Sequence, residues 1–278
     1  MRLIHHFILI LVSLFSMASL ALEPSQREES LEFQSVVSIA ANDVDAKGEE
    51  ATAYCVGTLL SPHHLITAAH CVRGNVVLKE NNLQVKTGFY KYVTDKSGQL
   101  RRIGYVENAV QKLPFRAFFV KSVQERIQKQ GARANIGPNE DVVLVEFLQP
   151  VVVDQSFQFA KLITQNDLKG LLPKVLDYWP TVVTINFIEE MSLDTKRSGR
   201  LDKVKINSGG HIESKSTVRV EPGDSGSPLF VRIGSQWYLA GITKGRAETI
   251  FSNWDVYGLL DNKICDLVVS SRLKSRCD

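Results

Sequence analysis

A serine held between glycines is the feature that most restricts this chain. The run Glu221-Pro222-Gly223-Asp224-Ser225-Gly226-Ser227-Pro228-Leu229-Phe230 sets Ser225 beside Asp224, and a strand-like stretch from Leu229 to Ile233 follows at once. Glycine lets the backbone turn sharply and leaves no side chain to block a ligand. In such a turn the amides of Gly223 and Ser225 can converge on one oxygen and stabilise negative charge there. Asp224 can anchor the turn by accepting a hydrogen bond or an ion pair. Taken alone, a Gly/Asp/Ser cluster is usually only a turn.

Two further stretches change its meaning. Leu65-Ile66-Thr67-Ala68-Ala69-His70-Cys71 ends an apolar run in Ala-Ala-His-Cys, and Asn139-Glu140-Asp141-Val142-Val143-Leu144-Val145 sets an acid directly ahead of a buried-looking strand. In order, the chain offers His70, Asp141 and Ser225. With these three motifs it resembles the chymotrypsin/trypsin-like serine proteases, whose signatures run in that order. The resemblance covers roughly residues 33 to 275.

What the resemblance implies is specific. The fold is all-β: two antiparallel six-stranded β-barrels, a chymotrypsin-like double barrel, with a C-terminal helix. Residues 22–150 form the barrel with His70 and Asp141, and residues 151–278 the barrel with Ser225 and the helix. A serine hydroxyl is a poor nucleophile at neutral pH and needs an oriented base within reach. Ser225 is the nucleophile, His70 the general base and then acid, and Asp141 orients the imidazole. Glu140 is a neighbouring competitor for that last role. The amides of Gly223 and Ser225 form the oxyanion hole. His63, His64 and His211 have no supporting context and read as structural.

The chain also departs from the family pattern. Trypsin-like zymogens carry a basic residue and then Ile-Val-Gly-Gly near the first strand; here the stretch is Gln34-Ser35-Val36-Val37-Ser38-Ile39. A new amino terminus pairing with Asp224 is therefore not expected, and Asp224 finds another partner or the loop is preformed. Gly226-Ser227-Pro228 replaces Gly-Gly-Pro, a variant of bacterial members. The cysteine common at the front of the nucleophile loop is absent, with Glu221 and Pro222 in its place, so the bracing comes from elsewhere. Counting back from Ser225, the base of the substrate pocket falls near Arg219 or Val220, with no trypsin-like acid at 218–220. The opposite wall falls near Thr243, Lys244 and Arg246. Arg219, Lys244 and Arg246 could attract a carboxylate, which gives the expectation of a Glu or Asp before the cleaved bond.

Charge and composition exclude other classes. The formal net charge of the 278 residues is +3, too weak to imply nucleic acid, and no basic run is interleaved with aromatics. Residues 1–21 read as a secretory signal: Arg2, a nearly continuous apolar run from Phe7 to Phe15, and small residues for cleavage after Ala21, with Ala18 as the alternative site. That apolar run is shorter than the ~20 residues of a spanning helix. Four cysteines in an exported chain favour disulfides over metal. The resemblance implies Cys55–Cys71; Cys265 and Cys277 then pair by elimination, or either stays free. No metal site and no cofactor motif is expected, although some relatives bind calcium on loops.

Along the chain, strand-like runs occur at Val36–Ile39, Cys55–Leu60, Leu65–Ala69, Val76–Leu78, Leu83–Val85, Ile103–Val106, Val175–Tyr178, Thr181–Ile188, Leu201–Ile206, Thr217–Val220 and Trp237–Thr243. Residues 107–138 read as an enlarged surface loop, with a helix over 123–130 stopped at Gly131. Residues 148–160 read as the crossover between halves, and Asn262–Leu273 as the final helix. The expected function is an exported serine endopeptidase, secreted or periplasmic, acting as a monomer on protein or peptide substrates, without stable membrane association after signal cleavage. The alternative is a protease-fold binding or regulatory protein with little turnover. An α/β-hydrolase esterase is disfavoured, because there the histidine comes last. Mass spectrometry of the exported protein is expected to find Leu22 as the first residue; retention of residues 1–21 would refute the signal reading.

Overall fold

The computed structural model describes residues 26–27, 33–44, 49–94, 96, 100–107, 110–185, 196–208, 210–249, 252–260, 267, 271 and 273. After a two-residue strand, β1 (Gln26–Arg27), the first half builds β2 (Val36–Val44), β3 (Glu50–Ser61), β4 (His64–Thr67), β5 (Asn82–Lys86), β6 (Gly88–Thr94), β7 (Leu100–Glu107), β8 (Gln111–Phe119) and β9 (Val143–Phe147). Helix α1 (Ala69–Leu78) follows β4, and α2 (Lys121–Gln130) follows β8. Six of these strands close into an antiparallel barrel in the order β2-β3-β4-β9-β8-β5, while β6 and β7 form a separate ribbon.

Successive side chains of a strand point to opposite faces, and the central barrel strands are buried on both. Leu65, Ile66, Leu83, Val143, Leu144 and Val145 are all fully buried. One register fixes the geometry that matters most. In the β4–β9 pair Thr67 lies opposite Val143. The end of β4 and the start of β9 therefore emerge side by side, and the chain leaving Thr67 meets the chain arriving at Val143.

The second half adds α3 (Gln165–Leu171) and the strands β10 (Thr181–Ile185), β11 (Lys196–Arg200), β12 (Val204–Ile206), β13 (Ile212–Ser214), β14 (Pro228–Ile233), β15 (Gln236–Thr249) and β16 (Ser252–Leu259). They form one antiparallel sheet in the order β1-β11-β10-β14-β15-β16-β13-β12. The molecule thus has the chymotrypsin-like double-barrel fold. Its second half differs from six closed strands: the described pairings give eight strands curled as a half-barrel, with β1 and β12 added at the ends. The first hydrophobic core crosses from one half into the other, since Val183, Ile185, Phe230, Leu239 and Ile242 belong to it. Phe33 sits at this join, 5.0 Å from the Phe230 ring and 5.3 Å from Trp237.

Several expectations need correction. Within residues 107–138, Gln111–Phe119 is not surface loop but β8, a stave of the closed barrel hydrogen-bonded to β5 and β9. Pro114 hides it in the sequence, since proline removes a ladder donor, yet Leu113, Phe115 and Phe119 alternate inward. Val76–Leu78 is the last turn of α1 rather than a strand. Gly74 lets that helix approach β2 so closely that a Cβ would lie 2.4 Å from the Asn42 carbonyl oxygen. Val175–Tyr178 belongs to a 3₁₀ turn, Leu172–Tyr178, with Leu168, Leu171 and Val175 buried at helical spacing. Thr217–Val220 makes no strand, although Val218 and Val220 are buried. The α2 helix ends as expected at Gly131, with φ of 60°. Of the C-terminal helix, only Leu267 is described in helical conformation, and it is buried. Residues 1–21, Cys265 and Cys277 lie outside the described residues. No helix among the described residues is long and apolar enough to cross a membrane.

The barrel role of β8 is measurable. Phe115→Ala is expected to cost about 3–5 kcal/mol in denaturant unfolding, as for a core phenylalanine. A change within ~0.5 kcal/mol, typical of a surface loop, would return the segment to the surface.

Candidate active site

The β4–β9 register delivers the first two site residues. His70 is the second residue of α1, three residues beyond β4, and Asp141 stands two residues ahead of β9. Asp141 Oδ2 lies 2.7 Å from His70 Nδ1, and Asp141 Oδ1 accepts the His70 backbone N–H at 3.0 Å. One carboxylate thus holds both the ring and the main chain. Asp141 is buried while the His70 side chain is 31% exposed. An ionised carboxylate only accepts, so Nδ1 carries the ring proton facing it; in the neutral ring Nε2 is then left with its lone pair. Glu140, the competitor, is engaged elsewhere, accepting from the Ser122 hydroxyl at 2.6 Å and from Arg126 at 2.5 Å.

Ser225 comes from the other half, in the loop before β14. Its carbonyl oxygen accepts the Val56 N–H at 2.8 Å, which docks the loop on β3 of the closed barrel. Gly226, with φ of 85°, makes this possible: a Cβ there would lie 2.1 Å from the Val56 carbonyl oxygen and 2.2 Å from Thr67 Oγ1. Next to Val56, Cys55 is disulfide-bonded to Cys71, the residue after His70. A His70 ring nitrogen lies within 4.8 Å of both sulfurs. Serine loop, β3, disulfide and histidine are therefore consecutive links. The two sulfurs are bonded to each other, so they are not the thiolates that a metal would need. The Ser225 hydroxyl itself donates to the Lys244 carbonyl at 3.5 Å, and no hydrogen bond joins it to His70 among the described residues.

The loop is already turned. Asp224 N–H donates to the Glu221 carbonyl at 3.0 Å, and Gly223 has φ of 99°. Proline fixes a negative φ before it, so this is a type II turn, which demands glycine at its third place. Gly226 and Ser227 also donate backbone bonds within the fold, whereas the amides of Gly223 and Ser225 donate to no partner among the described residues. Asp224 is fully buried; it accepts from the Thr184 hydroxyl at 2.5 Å and from the Glu221 N–H at 2.7 Å. The loop is thus shaped with hydrogen bonds from within the chain. Thr184 was not foreseen; a lone hydroxyl in an apolar strand carries little signal.

The expected pocket cations are not free. Lys244 Nζ reaches across to the Ile136 carbonyl. Arg219 lies 3.4 Å from the Ser214 carbonyl and 3.9 Å from the Asp255 carboxylate. Arg246 donates to the Val220 carbonyl at 2.7 Å, to Glu221 at 3.0 Å and to Asp255 at 3.4 Å. Within this group two arginines face two carboxylates, so the expectation of an acidic substrate side chain loses its basis. Thr243, named with them, is fully buried, and its backbone joins Gly226 and Ser227. Asp255 was missed altogether, although a carboxylate in the apolar stretch Trp254-Asp255-Val256-Tyr257 was a usable signal. Burial pushes its carboxyl above the usual range, against the pull of the Val220 N–H and both arginines. Burial lowers Arg246, but the Glu221 and Asp255 carboxylates outweigh it and the guanidinium ends above its ordinary value. The remaining histidines have structural partners: His64 with Ser61 at 2.8 Å, His63 with the Phe147 carbonyl at 3.0 Å and His211 with Asn207.

Comparison with known proteins adds one match. A family model described as Trypsin matches residues 24–257. No curated protein matches the chain.

The disulfide link has a measurable weight. It closes a loop of 16 residues in sequence separation. Replacing both Cys55 and Cys71 by serine is expected to cost about 3 kcal/mol of unfolding free energy. A double variant as stable as the parent would show that the bridge does not hold α1 to β3.

Proposed function

The chain belongs to the trypsin family, and from that premise we propose that it is an exported serine endopeptidase. The observation that carries the reading is the double hold of Asp141 on His70. It fixes the tautomer in which Nε2 can accept a proton, the state that a serine nucleophile needs.

In this mechanism Ser225 turns its hydroxyl from the Lys244 carbonyl toward His70, a change of one side-chain torsion between staggered positions. His70 Nε2 takes the proton as Ser225 Oγ attacks the peptide carbonyl carbon. The tetrahedral oxyanion is received by the Gly223 and Ser225 amides, which no other described group occupies. Asp141 stabilises the imidazolium. His70 then returns the proton to the leaving amine, the C–N bond breaks, and Ser225 is left acylated. Water, deprotonated by His70, attacks the ester and releases the acid. The apolar leader and the disulfide suit an oxidising compartment.

A second reading, a binding protein on a protease scaffold, draws on the Ser225 hydroxyl resting on Lys244 rather than on His70. One experiment separates the two. A fluorophosphonate is expected to label Ser225 in the wild type. Ser225→Ala is expected to lose both labelling and about 10⁶ of kcat while keeping its melting temperature. Asp141→Asn is expected to lower kcat by about 10⁴ through the wrong imidazole tautomer. Absence of labelling in the folded wild type would favour the binding protein.

A further inference from the structure

The turn that presents Ser225 has two glycines at positive φ, and no cystine stands at its front. Backbone bonds to Val56 and Thr243 hold its far end, and at its front a set of side chains converges on two residues. Val220 is held at both backbone groups: its N–H donates to Asp255 at 3.3 Å and its carbonyl accepts from Arg246 Nη2 at 2.7 Å. Glu221 is held at its carboxylate by the same Nη2 at 3.0 Å, and at its N–H by Asp224 at 2.7 Å. The Glu221 carbonyl accepts the Asp224 N–H that closes the turn. Arg246 and Asp255 are cross-strand partners on β15 and β16, so the grip is mounted on the sheet and not on another loop.

We propose that Arg246 is a positioning residue, an ionic clamp that joins Glu221 to Asp255 and so holds the 220–225 turn with the Gly223 and Ser225 amides facing outward. This rests on the endopeptidase reading and adds to it the device that keeps its oxyanion site formed. A guanidinium suits the task because its planar fork serves several acceptors at once, where an ammonium is a single point. The clamp is strongest where the partners are least hydrated, and Asp255 is fully buried. Arg219, 3.9 Å away on the other carboxylate oxygen, shares that charge.

The test uses Arg246→Ala, Arg246→Lys and Glu221→Ala in the full-length protein. Glu221→Ala leaves the Arg246–Asp255 pair intact, so it covers the case in which Arg246→Ala fails to fold. Steady-state hydrolysis of a peptide amide and native-state amide exchange at residues 220–226 are the two readouts. Arg246→Ala and Glu221→Ala are each expected to lower kcat about tenfold or more with KM little changed, because a misplaced donor acts on the transition state. Exchange of the Glu221 and Asp224 amides is expected to quicken about tenfold, with Arg246→Lys recovering only part of both. Unchanged exchange in both alanine variants overturns the clamp. A rise in KM with kcat preserved also overturns it, since Arg246 would then be a substrate contact. If the wild type turns over nothing, the endopeptidase reading falls and exchange alone decides the clamp: quickened exchange upholds it, unchanged exchange ends it.

Discussion

One backbone hydrogen bond, from the Val56 N–H to the Ser225 carbonyl, ties the two halves of the molecule at the point where chemistry is proposed. It forms because Gly226 has no side chain to strike Val56 and Thr67. Thr67 completes the dock by donating its hydroxyl to the Val56 carbonyl at 2.6 Å. Everything near it inherits a fixed distance. Cys55 is the next residue on β3, its disulfide reaches Cys71, and Cys71 sets the start of α1 with His70. A barrel strand therefore acts as the common datum for a loop from one half and a helix from the other.

Electrostatics follow the same economy of parts. Buried carboxylates are costly unless each oxygen is matched, and the site contains three of them: Asp141, Asp224 and Asp255. Each is matched differently. Asp141 takes a ring and an amide, Asp224 a hydroxyl and an amide, Asp255 an amide and two guanidinium groups. In all three cases a backbone N–H is among the donors, so each acid fixes main-chain position as well as charge. This is a more exacting arrangement than a surface ion pair, where a flexible cation alone would answer the charge.

The sequence made the outline readable because its motifs sit at strand ends. Ala-Ala-His-Cys and Asp-Val-Val-Leu-Val mark two strands whose apolar cores, Leu65-Ile66 and Val143-Leu144-Val145, are fully buried. The double-barrel expectation stood. What stayed hidden was contextual. β8 carries Pro114 and two charged residues, so its alternation is faint until the barrel closes around it. α1 has no strong apolar stripe because the disulfide and the close approach at Gly74 fix it instead. The Arg246–Asp255 pairing depends on a bulge between Thr243 and Gly245 that advances the register by one residue. No pattern in a single strand announces such a shift. The same bulge turns the Lys244 carbonyl toward Ser225 and its ammonium toward Ile136, which is why cations that look like a pocket lining in the text are spent inside the protein.

The ends of the half-barrel carry a different consequence. An open sheet leaves unpaired donors and acceptors along its outermost strands, a template on which another chain can stack and begin to aggregate. Among the described residues the terminal strands β1 and β12 are two and three residues long. β12 also carries Lys205, whose ammonium sits 2.8 Å from Glu213 while its side chain remains 65% exposed. Short edges, charged at one end, offer a neighbouring molecule few rungs on the described strands β1 and β12.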